Sequence, residues 1–220
     1  MRQHNNKGRL VVAPVRVTLV THYFPSHRGG VEAVAWEIAS RLAAGGKADI
    51  TWYSSDTDPV PPECPGLRCV AAGACNAIER RLGIPYPLWS PWALARLARA
   101  VRASDVVHLH DFLYLPNLVA WAAARLSRRR IVVTQHVGMV PYRSPVLRAL
   151  LATANRVLGP LVLGGPSQAL FVSDAVLRYF GGFVRFRSAP LRVANGVDAR
   201  IFAPVDETAR SALRRELGME

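Results

Sequence analysis

Hydrophobic and polar positions fall into blocks along this chain, and the period of the pattern switches from one block to the next. Residues 15–20 (VRVTLV) are short and β-branched and read as a first strand. Pro25, Gly29 and Gly30 mark 22–30 as a loop. Val31, Val34, Ala35, Ile38 and Leu42 then recur at helical spacing, which predicts a helix over 31–44 ended by Gly45 and Gly46. A second strand follows over 48–53. Residues 54–91 are rich in Pro, Gly and Ser, with a strand-like stretch at 67–71 and a short helix near 78–82. Beyond them the pattern becomes regular again. Helices are predicted over 92–102, 115–126, 144–158 and 174–180, and strands over 105–109, 130–134, 169–172 and 191–194.

Alternating strands and helices predict a parallel sheet with helices on both faces, an α/β fold of Rossmann-like type. The strands are short and almost wholly apolar, as expected of strands covered on both faces. Ligands of such sheets bind beyond the carboxyl ends of the strands. The residues of interest are therefore 21–30, 54–56, 110–112, 135–138, Ser173 and 195–198. The chain divides into a basic tail over 1–14, a domain over 15–204, and a charged helix-like segment over 205–220 that reads as a linker or the opening of another domain. No internal repeat stands out.

Composition narrows the reading. Of 220 residues, 50% are hydrophobic and 20% charged, the balance of a globular chain. A formal net charge of +13 favours polyanionic partners: nucleic acid, anionic lipid or phosphate-bearing substrates. Nucleic acid is disfavoured, because no RNP aromatics, zinc finger or helix-turn-helix is present. Cys64, Cys69 and Cys75 are odd in number and lack a C-x-x-C spacing, so neither a disulfide framework nor a metal site is expected. Pro14 and Arg16 interrupt the apolar start, against a signal peptide, and Arg148 and Arg156 break the segment 146–163, against a membrane span. A cytoplasmic protein is expected, peripheral at the inner membrane face if it touches lipid.

Chemistry concentrates in a few places. Gly29 and Gly30 stand at a predicted helix N-terminus, where free N–H groups and the dipole favour phosphate or carboxylate. The plainer reading is a tight turn with Glu32 complementing the dipole. His108 and His110 fall on one face of a strand end, Asp111 follows, and His136 closes the next strand at the same end of the sheet. These histidines suit polar substrate contact or proton transfer, or else core hydrogen bonding. Asn195-Gly196 is a turn signal after the last strand.

Taken in order, VRVTLVTHYFPSHRGGVE, DVVHLHDF, IVVTQHVG, ALFVSDAVLRYF and VANGVDARIFAP resemble the N-terminal domain of glycosyltransferase family 4. The resemblance implies one half of a GT-B fold, two Rossmann-like domains with the active site between them. It implies sugar transfer from a nucleotide-diphosphate sugar to a saccharide or lipid-linked acceptor, with retention, without metal or cofactor. By that resemblance His136 contacts the transferred sugar, Gly29 and Gly30 face the donor diphosphate, His110 and Asp111 lie on the acceptor side, and Asn195 to Asp198 cross toward the second domain. The donor-phosphate Arg/Lys pair and E-x7-E motif of the family belong to its C-terminal domain; Glu207 and Glu216 do not supply them. The chain is therefore expected to need that missing domain as a partner and to be inactive alone. Arg80, Arg81, Arg96, Arg99 and Arg102 accompany Tyr86, Trp89 and Trp92, a mixture suited to an anionic membrane surface. The competing reading is a non-enzymatic Rossmann-like module that applies its basic surface to membrane or nucleic acid.

Overall fold

The computed structural model describes residues 3–4, 10–11, 13–165 and 168–219. A 7-stranded, wholly parallel sheet forms its centre. In chain order the strands are β1 (Val15–Val20), β2 (Ala48–Ser55), β3 (Leu67–Ala72), β4 (Val106–His110), β5 (Arg130–Gln135), β6 (Gln168–Phe171) and β7 (Leu191–Arg192). Across the sheet they run β3-β2-β1-β4-β5-β6-β7. The order therefore reverses between β1 and β4, where Val20 lies opposite Leu109.

The helices are α1 (Gly30–Ala44), α2 (Ala77–Leu82), α3 (Pro91–Ala103), α4 (Leu115–Leu126), α5 (Pro145–Leu163), α6 (Asp174–Gly181) and α7 (Glu207–Glu216). Side-chain oxygens of Ser90, Ser144, Ser173 and Asp206 accept N–H bonds at the starts of α3, α5, α6 and α7. One core joins Val107, Leu109, Ile131, Val133 and Phe171 to Leu97, Val101, Ala120, Ala124, Val162 and Phe180, which places α3 to α6 on one face. On the other face Ala35, Ala39 and Ala43 of α1 pack against Leu19, Ile50, Trp52 and Leu67. Small residues on α1 let it lie close to the sheet. Burying each large core side chain contributes about 1.5–3 kcal/mol. Beside α1, residues 193–202 lie across the ends of β5 and β6 and leave an open cavity of about 1070 Å³ lined by Val34, Ile38, Leu170, Val172 and Val193.

The structure departs from the sequence pattern in several places. α5 continues past Gly159 and Pro160 to Leu163. Pro160 lies in the last turn, and Gly159 is seated against the rings of Phe180 and Phe183, so packing holds that turn. At 19 residues α5 is long and apolar enough to cross a bilayer by length and composition, although Gly159, Val162 and Leu163 pack inward. A two-residue antiparallel ladder, Ala74–Cys75 with Leu88–Trp89, lies in the stretch expected to be irregular. It buries Trp89, which is core and not part of an interfacial belt. β7 is only two residues long and β2 runs two residues further than expected. Of the predicted basic tail, residues 3–4 and 10–11 form a short antiparallel ladder, and most of the remainder lies outside the described residues.

Candidate active site

The reversal of strand order between β1 and β4 opens a crevice at their carboxyl ends. Each strand delivers polar side chains there. After β1, the Thr21 hydroxyl donates to the Tyr23 carbonyl at 2.7 Å and accepts from Trp52 Nε1 at 2.8 Å, which fixes the exit of the chain. His22 is buried at the end of this exit. Its ring stacks on Tyr114 with centroids 4.0 Å apart and an interplanar angle of 7°. Tyr114 in turn stacks on Tyr86, whose hydroxyl donates to the Leu113 carbonyl at 3.0 Å. Tyr86 thus serves the wall of the crevice, against its assignment to a membrane-facing belt.

Neither glycine of the loop into α1 is left-handed. Gly29 has φ −82° and Gly30 begins the helix, while the left-handed residue is Arg28 at φ 62°. The two glycines matter for space. A Cβ on Gly29 would stand 2.0 Å from Glu32 Oε2, whereas a Cβ on Gly30 would meet nothing within 4 Å. Glu32 is 1% exposed and folds back over Gly29 at the helix N-terminus. Burial raises its carboxyl above the ordinary range. His22 Nε2 lies 3.0 Å from Glu32 Oε1. The two atoms lack hydrogen-bond alignment, so the contact is one of proximity.

On the β4 side, His110 is fully buried and its Nδ1 lies 3.0 Å from His136 Nε2. His108 and His110 share a face as expected, with rings 4.5 Å apart, and His108 Nε2 pairs with Thr134 Oγ1 at 2.8 Å. Burial drives all these imidazoles toward the neutral form: His22 to about 3, His108 and His136 to about 4, and His110 well below its ordinary value. The ring pair His110–His136 therefore shares one proton between neutral imidazoles. His136 is only half-buried, so part of the residue stays accessible at the end of β5. Neutral imidazoles can donate to and accept from sugar hydroxyls without carrying charge.

Asp111 holds the two strand ends together. Its Oδ1 accepts from the backbone N–H of His136 at 2.8 Å and of Val137 at 3.2 Å. Asn117 Nδ2 donates to the His110 and Asp111 carbonyls, both at 2.7 Å. The backbone at Asp111 is left-handed, φ 57°, a conformation Asp tolerates better than most residues. Desolvation raises its carboxyl to about 7 against the opposing effect of the two N–H bonds.

The structure thus brings Gly29, His110, Asp111 and His136 to one crevice and adds His22, Glu32, Tyr86 and Tyr114. Gly30 opens α1 at its rim. Asn195 stands apart: it is exposed and lines the cavity between α1 and residues 193–202. Among the described residues no cluster of three metal-ligating side chains occurs. His22 lay inside the stretch 21–30 marked in the sequence without being singled out, whereas Tyr114, the residue that caps the start of α4, escaped sequence reasoning. Glu32, read as complementing the helix dipole beside a tight turn, is buried.

With this geometry in place, comparison with known proteins decides the family. The family model described as Glycosyltransferase Family 4 matches residues 28–200. The chain belongs to glycosyltransferase family 4. A family relative, D-inositol 3-phosphate glycosyltransferase of Xylanimonas cellulosilytica, is 30% identical over 215 residues, which covers 87% of this chain and 48% of that protein. Two solved structures share the fold. Sucrose-phosphate synthase of Thermosynechococcus elongatus superposes with a TM-score of 0.63 at 15% identity, over 94% of this chain and 53% of that one. Anabaena Alr3699/HepE, solved with UDP and glucose, gives 0.59 at 14% identity, over 93% and 50%. At these identities the structures show the fold alone. The chain spans about half the length of the relatives it matches.

Proposed function

We propose that this chain is the acceptor-side half of a nucleotide-sugar-dependent glycosyltransferase and that the crevice between β1 and β4 receives the sugar undergoing transfer. The observation that carries the reading is the convergence of neutral His136 and His110 with the N-terminus of α1 at the strand-order reversal. His136 is the group placed to hydrogen-bond a sugar hydroxyl. Gly30 leaves room over the first turn of α1, where free N–H groups and the dipole suit the donor diphosphate. The Tyr86–Tyr114–His22 stack forms a flat wall on which a saccharide ring can pack.

None of the described contacts within this cluster involves a lysine or arginine, and Arg28 beside Gly29 is exposed. Cleavage of the sugar–phosphate bond builds negative charge on the departing diphosphate, and without a metal that charge requires positioned cations. Residues 205–220 lead toward a second domain that supplies them, and domain closure excludes water and aligns the substrates. The reading takes no cofactor, retains anomeric configuration, and accepts a saccharide or a lipid-linked acceptor. For a lipid-linked acceptor, Trp92 is 86% exposed beside the exposed Arg96, Arg99 and Arg102 of α3, a face suited to anionic lipid at the cytoplasmic side of a membrane.

The test is transfer from a panel of nucleotide sugars by the chain alone and by a polypeptide that carries the donor-binding half. Activity only in the longer polypeptide supports the reading. Turnover by the chain alone would place the donor site within it and overturn this division of labour.

A further inference from the structure

A second cluster lies at the opposite, amino-terminal edge of the sheet, away from the crevice. The helix α4 ends in a turn where Arg129 N–H donates to the Ala124 carbonyl at 2.8 Å and Arg128 N–H to the Arg125 carbonyl at 3.2 Å. This is a Schellman arrangement with Arg128, φ 54°, at the position that usually falls to glycine. The turn carries Arg125, Arg128 and Arg129 to the rim of an open cavity of about 490 Å³. Arg187 and Ser188 complete it from beyond α6, and Gly165 from beyond α5.

The cavity has the wrong charge balance for a purely structural feature. None of its lining residues is acidic. Among the described residues, none of the four guanidiniums forms an ion pair. The carboxylate whose charge reaches Arg129 is Asp105, and that group is already clasped by Arg16 through bonds of 2.8 and 3.1 Å. Among the described residues, the Arg125 side chain donates to the Gly165 carbonyl, at 3.4 Å. The Nε of Arg129 is buried with no hydrogen-bond partner among the described residues. The ends of α4 and α5 turn their carbonyls this way, and each contributes about half a negative charge. Four guanidiniums against that leave an excess of about three positive charges. Planar, always-charged guanidiniums in a fork are matched by phosphate oxygens.

We infer that Arg125, Arg128, Arg129 and Arg187 form an anion site for a phosphate-bearing ligand with several negative charges, separate from the crevice and independent of the reaction proposed for it. Two sources share that chemistry, a soluble polyphosphate and a phosphomonoester lipid headgroup. The test uses inorganic pyrophosphate and, in parallel, vesicles of phosphatidylcholine with or without phosphatidic acid. Binding of pyrophosphate to the intact chain is followed by calorimetry, and vesicle binding by co-sedimentation. Loss of one guanidinium costs about tenfold in affinity and of two about a hundredfold. Arg129→Gln/Arg187→Gln should therefore weaken binding about a hundredfold, and Arg128→Gln, at an exposed position, about tenfold with an unchanged melting temperature. A charge-matched control at exposed positions outside both α3 and the cavity, Arg68→Gln/Arg215→Gln, should bind as the unaltered chain does. Pyrophosphate saturation identifies a soluble ligand; binding confined to phosphatidic acid vesicles and lost in the same variants identifies a headgroup. The inference is overturned if neither probe binds, or if the control loses as much affinity as the cavity variants.

Discussion

Replacing Asp111 separates the two jobs its carboxyl performs. In Asp111→Ala the N–H groups of His136 and Val137 lose their acceptor. Leaving the His136 N–H unpaired costs about 1–3 kcal/mol, and the Val137 N–H, on a residue 40% exposed, about 1 kcal/mol. Alanine at φ 57° adds about 1 kcal/mol. The loss comes to about 4 kcal/mol, which for a chain of this size lowers the melting temperature by about 8–16 °C. Asp111→Asn keeps a carbonyl oxygen in the same place and tolerates the left-handed backbone, so its cost is below about 1 kcal/mol, or about 2–4 °C. The two variants also differ with pH. The Asp111 carboxyl titrates near 7 in the folded chain, above its unfolded value. Its protonated form therefore favours the fold, and this contribution declines as pH rises from about 4 to 7. Asp111→Asn removes that slope. The assay is thermal melting of the three proteins between pH 4 and 8. Equal melting of Asp111→Ala and the parent, or equal damage from Asn and Ala, would refute the role given to Oδ1.

Other outcomes follow from the same geometry. Gly29→Ala must displace the buried Glu32 carboxylate and lowers the melting temperature, while Gly30→Val leaves melting unchanged and blocks ligand, which melting and nucleotide-sugar binding measure together. His22, His108, His110 and His136 all bind protons less readily than in the unfolded chain, so their contribution to stability is present above about pH 6.5 and declines as pH falls toward 4, partly offset by Asp111; a melting profile that is flat below 6.5 counts against it. Protonating folded His136 alone costs about 3 kcal/mol. Trp92→Ala together with Arg96→Gln and Arg99→Gln should reduce co-sedimentation with anionic vesicles without altering melting; unchanged binding removes α3 from the membrane face.

The sheet was legible because parallel strands buried on both faces are written as apolar runs, and α4 was bounded correctly because Pro116 and Ser127 punctuate it. α5 was cut short because Pro160 reads locally as a stop, while the contacts of Gly159 with Phe180 and Phe183 that carry the helix onward are long-range. The strand-end positions of His110, Asp111 and His136 followed from alternation alone. Their mutual hydrogen bonds did not, because register between β4 and β5 is set by pairing and not by local pattern. The same limit hid Tyr86, whose partner Tyr114 is remote in sequence. The sequence reads Glu32 only as a charge at a helix start, and the fold of its side chain over Gly29 is what reveals its burial.

The central claim is that the half-buried, neutral His136 contacts the sugar as it is transferred. It is tested most directly by turnover of His136→Ala in a polypeptide that carries both halves, with melting temperature measured on the same samples. The account predicts a fall in kcat of about a hundredfold or more with melting nearly unchanged. Full turnover combined with a large loss of thermal stability would contradict it and leave His136 as a strut between β4 and β5.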